Sequence, residues 1–490
     1  MDSIFVPPNA DYFFEGFRQG GDYSFAKSIA EIVDNSITAG ATKIDIDAQL
    51  GPISLAIIDN GSGMSRDDLI TAMTVSSRSP TEVRAKQDLG RFGLGLKLAS
   101  LAQCDVLKVI SSKDGNISGF AWDLDYLRDN NWELIEIEDP EKNPHVEKLS
   151  GNGTIVLWEK IQFKDDSKDV IEVFNKNIDD SRNHLALTFH RFLHGESGIK
   201  KCSMLINGTK IEPSDPYNLY DDTMPHTIID GPHTIGVSGE SEYVIYTLPH
   251  QNSYENIEDF KRFQAPGGDG TYRTNQGFYI YRSKRLIRYG SWERLSSPNP
   301  LTQLCRVQVD IGNDVDAEWE VSINRTTVKF PPIVKKALEE LVHRYQKSSR
   351  NTYTSRGTII NSNFNFNSWN AITKNKKKSY KINQENPLFK EFTDTLNKEQ
   401  KIRFLNLVAL LEDSIPKDAI FSDMASNPVA MDIESENDLL TIWAISYFDK
   451  ALAEMKDEKQ AFQYLEKLEI FVNQKEELKS ILSKERNLEL

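Results

Sequence analysis

The first 60 residues change their hydrophobic period twice, and this change restricts the folds that the chain can adopt. Residues 24–39 place apolar side chains at helical spacing. Residues 41–50 then alternate apolar and polar side chains, and residues 53–59 form a short apolar run before a turn, so both predict strands. More strand patterns and a few helical ones follow, without the regular repeat of a doubly wound sheet. We therefore predict an α+β fold.

Length and composition exclude several classes of protein. A chain of 490 residues is too long for one ordinary core, so we expect two or three domains. The net charge of −15 argues against a nucleic-acid coat along the whole chain, although it is compatible with a local basic patch. The cysteines, Cys104, Cys202 and Cys305, are widely spaced and predict neither a disulfide framework nor a zinc site. Without a signal-peptide pattern or a membrane-length apolar run, we expect a cytoplasmic protein that makes no membrane contact.

Three short motifs follow one another in the first hundred residues, and the first is the helical sequence EIVDN. Glu31, Asp34 and Asn35 stand at positions i, i+3 and i+4, so they project from one face of the helix. A carboxylate can act as a general base toward water. An amide carbonyl suits a Mg²⁺ ion that keeps waters and phosphate oxygens as its other ligands. An ordinary polar helix face is the alternative interpretation of this motif.

The second motif, DNGSGM, comes directly after an apolar strand. A buried carboxylate at Asp59 can accept a hydrogen bond from the exocyclic amino group of adenine. Gly61 and Gly63 would let the backbone approach a planar base closely. A simple Asp-Gly turn is the alternative here.

The third motif is the glycine run within LGRFGLGLKLAS. Gly90, Gly93 and Gly95 precede a helix whose free N–H groups can face phosphates, and Lys97 adds a movable positive charge. A tight corner between a strand and a helix would use the same glycines. A polar stretch with the length of a lid separates this motif from the second. Coincidence becomes improbable when all three motifs occur in this order.

ExxDN, DxGxG and GxxGxG in this order resemble the GHKL superfamily of ATPases, which includes gyrase-type topoisomerases, large heat-shock chaperones, histidine kinases, MutL and MORC proteins. The resemblance covers about the first 160 residues and includes a fourth element, Gly153-Thr154 at the beginning of a late strand. It implies a Bergerat-type α/β sandwich, with one mixed sheet backed by helices, and ATP and Mg²⁺ as cofactors. Glycine-loop amides would hold the phosphates, since the chain has no GxxxxGK[ST] sequence.

The resemblance also implies roles for individual residues. Glu31 would be the general base, Asn35 the Mg²⁺ ligand and Asp59 the adenine ligand. Thr154 would support Asp59 through a water, and Asp34 would belong to the hydrogen-bond network on the adenine side. The residues from Ser76 to Gly95 would form the ATP lid. The other cofactor-binding residues that the resemblance implies are Gly61, Gly63 and Met64 at the base, and Gly90, Arg91, Phe92, Gly93, Leu94 and Gly95 at the phosphates.

A second strand-rich region follows a helical pattern that runs from Ser167 to about Leu193. Its sequence GFYIYRSKRLI resembles a strand motif of MutL- and MORC-type transducer domains. WEVSINRTTVKF resembles the segment in which MutL proteins place a lysine that reaches the γ-phosphate, and Arg325 falls at that position. Arg325 would then sense bound ATP and stabilise charge in the transition state. Lys329 and Arg285 are alternates, and a surface arginine without a catalytic role is the other interpretation.

The composition changes again after residue 345. Residues 346–384 are rich in Asn, Ser and Lys and contain no acidic residue, which predicts a flexible basic linker, and helical spacing resumes after residue 385. We therefore predict four parts. They are a GHKL ATP-binding domain over 1–196, a transducer-like α+β domain over 197–345, the basic linker over 346–384 and a helical C-terminal domain over 385–490.

The last two parts suggest partners. Basic and aromatic residues alternate in the linker, so the arm from Lys374 to Lys381 would suit DNA phosphates and bases, although a solvated linker has the same composition. The C-terminal helices would dimerise or dock a partner effector protein. The sequence thus favours a slow MORC- or MutL-like ATPase that forms a homodimer on binding ATP. The alternatives are a heat-shock-chaperone-like ATPase with protein clients and a nucleotide-binding scaffold with negligible turnover.

Overall fold

The computed structural model divides the chain into two compact units, residues 1–298 with 302–345 and residues 299–301 with 346–490. The residues that the structure describes are 9–20, 23–75, 95–149, 151–163, 169–221, 223–236, 241–249, 253–254, 257–298, 302–312, 315, 318–320, 328–342, 368–374, 377–416, 420, 437–466, 468, 470–471 and 474–486.

An eight-stranded mixed sheet forms the centre of the N-terminal part. Its strands are β1 (Lys43–Leu50), β2 (Ile53–Asp59), β3 (Cys104–Lys113), β4 (Asn116–Asp123), β5 (Ile135–Glu136), β6 (Gly153–Ile161), β7 (Ser203–Ile206) and β8 (Thr209–Lys210). The strand order is β5-β4-β3-β6-β2-β1-β7-β8, with β1 and β7 parallel and the other neighbours antiparallel. This mixed sheet is the one that the family resemblance implied.

Helices cover one face of this sheet. They are α1 (Ala10–Gly20), α2 (Phe25–Thr38), α3 (Arg66–Met73), α4 (Gly95–Leu101), α5 (Leu124–Asn130), α6 (Val170–Thr188) and α7 (His190–His194). On β2, Leu55 and Ile57 belong to the large core shared with these helices, whereas Ala56 and Ile58 belong to a smaller core on the opposite face. Burial on both faces explains why β2 is a continuous apolar run and does not alternate.

The sheet extends further along the chain than the sequence indicated. We expected the second domain to begin at residue 197, yet β7 pairs in parallel with β1, from Lys43 opposite Ser203 to Ile46 opposite Ile206. The side chain of Asn207 accepts a hydrogen bond from the N–H of Ala48 (2.7 Å). The N-terminal sheet therefore includes residues beyond the predicted boundary at 196.

A second sheet of five strands follows within the same unit. Its members are β9 (Ile228–Ile235), β10 (Ser241–Thr247), β11 (Gly277–Arg282), β12 (Arg285–Ser291) and β13 (Cys305–Ile311), and their order is β12-β11-β13-β10-β9. The helices of this region are α8 (Ile257–Gln264) and α9 (332–342). Ser283 and Lys284 join β11 to β12 with φ angles of 47° and 71°. Two consecutive positive φ values form the kind of tight turn that suits the twist of a hairpin.

The second unit contains helices and a hairpin. The helices are α10 (Pro387–Thr395), α11 (Lys398–Asp413), α12 (Asn437–Met455), α13 (Glu458–Leu465) and α14 (Lys475–Arg486). The sequence predicted a flexible linker over 346–384, but its described part forms a hairpin of β14 (Trp369–Lys374) and β15 (Lys377–Ile382). Glu412 of α11 accepts from the N–H of Ile382 (2.7 Å) and pairs with Lys381 (2.9 Å), so an acidic helix end stabilises this basic strand.

Helices and sheets together confirm the α+β class. The three cysteines are buried and free. Within the described ranges, no helix has both the length and the apolar character that a bilayer span requires.

Substitution of Ile29 tests the packing of α2 on the sheet. The Ile29 side chain is fully buried, so Ile29→Ala should leave a cavity and lower the free energy of unfolding by about 2–5 kcal/mol. The matched control is Ile171→Ala on α6, because Ile171 is exposed and its loss should change stability by less than about 0.5 kcal/mol. Urea denaturation followed by tryptophan fluorescence compares the two. Equal effects of both substitutions would contradict the described packing.

Candidate functional site

Helix α2 carries two buried acidic side chains into the interior. The helix begins after Ser24, whose side chain accepts a hydrogen bond from the N–H of Lys27 and so caps it. Glu31 is 4% exposed and Asp34 is 0% exposed, one turn apart on the buried face. Asn35 lies on the same helix but is exposed. The EIVDN motif therefore presents two carboxylates to the interior and one amide to the surface.

Asp59 ends strand β2 and is buried as well. Its Oδ1 accepts from the N–H of Gly61 (2.8 Å), and its Oδ2 accepts from the hydroxyl of Ser36 (2.8 Å). Burial raises the pKa of Asp59, while hydrogen bonds from Gly61, Ser36 and the backbone of Thr154 act in the opposite direction. Each carboxylate oxygen keeps accepting capacity beyond these bonds. Ser36 was not among the site residues predicted from the sequence, although its hydroxyl on the buried face of α2 was a signal that could have identified it.

A serine on β3 connects the DNGSGM loop to the sheet. The hydroxyl of Ser111 lies 3.1 Å from that of Thr154 and accepts from the N–H of Met64 (2.8 Å). Asp59 and Thr154 stand opposite each other in the pairing of β2 with β6. Asp59, Met64 and Thr154 are thus brought together. Ser111 was missed, because nothing in an apolar strand pattern distinguishes a serine that bonds across the sheet.

The glycines of the second motif stand where a side chain does not fit. Gly63 has φ +66°, and a Cβ there would collide with the carbonyl oxygen of Ser112. At Gly61 a Cβ would come within 2.9 Å of Asp59 Oδ1. The loop therefore lies so close to its neighbouring atoms that these two positions have no room for a side chain.

The third motif is described only from Gly95 onward. Gly95 is the first residue of α4, and a Cβ added there would lie 2.9 Å from Glu31 Oε2. The fold therefore places the beginning of α4 beside the buried acid of α2. The predicted site residues that lie outside the described part of the chain are Gly90, Arg91, Phe92, Gly93, Leu94 and Arg325, and their roles stay predictions.

Lys97 occupies a different environment from the one that the sequence suggested. We expected a movable positive charge, but the side chain is buried and its Nζ donates to the carbonyl oxygens of Ala72 (2.7 Å) and Thr74 (2.9 Å). Burial lowers the pKa of Lys97 to about 8. In this arrangement the ammonium group is held at the C-terminal end of α3, where a cation is favoured.

Arg285, one of the two alternates to Arg325, lies against the acids of α2. Its Nε is 3.2 Å from Asp34 Oδ2, and its Nη2 is 3.9 Å from Glu31 Oε1. The other alternate, Lys329, is exposed and paired with Glu320 (2.5 Å). The second sheet thus contributes a cation to this site.

Among the described residues, no three His, Cys, Asp or Glu side chains form a group that could hold a metal ion. Mg²⁺ commonly takes one or two protein oxygens and completes its shell with waters and phosphates. The exposed amide of Asn35, one helical turn from Glu31, fits that pattern.

A known family of proteins resembles this chain in the same region, and individual proteins resemble parts of it. Residues 23–154 match the family described as histidine kinase-, DNA gyrase B-, and HSP90-like ATPase. DNA mismatch repair protein MutL of Borreliella afzelii (strain PKo) is 34% identical over 138 residues, which are 27% of this chain and 20% of that protein. MutL of Thermosipho melanesiensis is 27% identical over 241 residues, 46% of this chain and 39% of that protein. The matches thus span well under half of these relatives. Residues 23–154 are of the GHKL ATPase type, and part of the chain is similar to MutL, as the ordered motifs predicted.

Proposed function

We propose that this chain is an ATP-driven conformational switch that hydrolyses ATP with Mg²⁺ and dimerises when ATP binds. The observation that carries the proposal is the buried Asp59, held by two hydrogen bonds and bordered by glycines that admit no side chain. The family match over residues 23–154 supports the nucleotide as the ligand.

Adenine would bind at the Asp59 end of the site. An acceptor-only carboxylate selects a base with an exocyclic amino group, and burial increases the cost of leaving that acceptor unpaired. Ser36 and Gly61 fix the direction of the carboxylate before the base arrives. Met64 and Thr154, joined through Ser111, would border the base on the sheet side.

Hydrolysis would take place at the Glu31 end. Glu31 is a buried carboxylate beside the beginning of α4, which follows the proposed phosphate loop. It would accept a proton from the attacking water as a general base. Asn35 would ligate Mg²⁺, which supplies charge neutralisation at the phosphates when bound. Glu31 and Asn35 are one helical turn apart, so a single helix would position base and metal together.

DNA or an effector protein is the proposed client of the switch. The relatives are named for DNA mismatch repair, and we extend to this chain the hypothesis that it acts on DNA or gates an effector. The hairpin arm has part of its charge neutralised, since Lys381 pairs with Glu412 (2.9 Å) and Asp413 (3.1 Å). Duplex-DNA binding that weakens steeply with salt would support the DNA hypothesis.

Glu31→Ala tests the general base. Turnover should fall about 100-fold or more, because general-base catalysis is lost, while ATP still binds through the adenine end. Steady-state ATPase rates and calorimetric binding measure the two effects. Glu172→Ala, an exposed glutamate on α6, serves as the control and should leave both unchanged. Unchanged turnover in Glu31→Ala would refute the assignment.

Measurement of the molecular mass in different nucleotide states tests the proposed ATP-gated dimerisation. A non-hydrolysable ATP analogue with Mg²⁺ should shift the protein from monomer to dimer in size-exclusion chromatography with light scattering, whereas ADP should not. If the mass is the same in every nucleotide state, ATP-gated dimerisation is wrong.

A further inference from the structure

A hairpin of the second sheet brings Arg285 to helix α2, which carries the proposed general base. Arg285 is the first residue of β12, directly after the turn of Ser283 and Lys284. β11 is the neighbour of β12 and pairs in parallel with β13 over Gly277–Arg282, so the hairpin is an extension of a well-formed sheet. The second sheet therefore fixes the position of Arg285, whose acidic neighbours belong to helix α2 of the N-terminal part.

The guanidinium of Arg285 is buried and held on several sides. The side chain is 8% exposed. Its Nη1 donates to the carbonyl oxygen of Leu286 (3.2 Å), and its Cζ lies 5.8 Å from the centre of the Phe189 ring. Burial lowers the pKa of the neighbouring His184 to about 3, with the charge of Arg285 adding to the effect, so that imidazole is neutral. Arg285 is thus a rigidly placed positive charge.

The carboxylates that face Arg285 carry the opposite charge. Glu31 and Asp34 are one turn apart on the same helix, so their negative charges repel each other in a buried environment. The contact with Asp34 is short (3.2 Å) and the contact with Glu31 is longer (3.9 Å). Asp34 is therefore the nearer, and Glu31 the farther, of the two carboxylates that form ion pairs with the guanidinium.

We propose that Arg285 is a positioning residue through which the second domain controls hydrolysis, because its contacts hold Asp34 and Glu31 in place on α2. When the hairpin is docked, Glu31 is oriented for its work as the base. Without this guanidinium, the two acids lose a shared counter-charge and Glu31 loses its orientation. The proposal rests on the proposed ATPase function and adds to it the residue that couples the two sheets.

A γ-phosphate sensor would behave differently from a positioning residue. A sensor contacts the nucleotide, so its loss weakens ATP binding as well as turnover. The contacts of Arg285 are with the carboxylates of α2, so its loss should lower kcat and leave ATP affinity nearly unchanged. Misplacing a catalytic group by about 1 Å costs up to about 100-fold in rate.

Arg285→Met and Arg285→Lys test this proposal. Methionine keeps apolar contact with Phe189 but removes the charge, so kcat should fall about tenfold or more while the Kd for an ATP analogue changes by less than about twofold. Lysine restores the charge but reaches one carboxylate at a time, so its kcat should lie between those of Arg285→Met and the unmodified protein. Arg288→Met is the matched control on the same strand, since Arg288 pairs with Glu293, and both of its values should equal those of the unmodified protein.

The outcomes separate this proposal from the one on which it depends. If the unmodified protein has no ATPase activity, the proposed function fails. If it turns over ATP and Arg285→Met has the same kcat, Arg285 has no positioning role. Parallel loss of ATP affinity and kcat, or an equal loss in Arg288→Met, also overturns the proposal. Thermal unfolding shows whether each variant is folded. If Arg285→Met is not, Arg285→Lys decides, with a lowered kcat at unchanged Kd in support and an unchanged kcat against.

Discussion

The buried carboxylate of Asp59 is the feature on which the rest of the site depends. A charged group at the end of an interior strand is stable only when its oxygens are hydrogen-bonded. Ser36 of α2 and Gly61 of the following loop supply those bonds, so the same contacts that satisfy Asp59 also fix the helix and the loop relative to the sheet. Because α2 also carries Glu31, the proposed base-binding end and the proposed catalytic end share one rigid support.

Local patterns were sufficient to predict the elements that carry this site. Helical spacing over 24–39 and the apolar run that ends in Asp59 correspond to α2 and β2, because both patterns are set by burial against one core. Parallel pairing was not predictable in this way. β7 joins β1 across more than 150 residues of sequence, and no local signal assigns a short strand to one sheet rather than to another.

The interaction partners of individual side chains could not be predicted from the sequence either. A lysine after a glycine run suggests a phosphate contact, yet the ammonium of Lys97 is bonded to backbone carbonyls of α3, since the fold brings that helix end against it. The sequence could not decide whether Arg285 or Lys329 belongs to the site, because the two residues differ only in their tertiary contacts. Arg285 follows a tight turn that carries it to buried acids, whereas Lys329 pairs with a surface glutamate.

The central claim is that the buried acceptor at Asp59 selects adenine. A comparison of the affinities of the protein for ATP and for inosine triphosphate tests this claim most directly. The two nucleotides differ at the position where adenine has its amino group and hypoxanthine has an oxygen. Isothermal titration of the unmodified protein should show at least about tenfold tighter binding of ATP, since the oxygen would face a buried carboxylate without a shared proton. Asp59→Asn should remove this preference, because an amide can donate to that oxygen. Equal affinities of the unmodified protein for the two nucleotides would contradict the account.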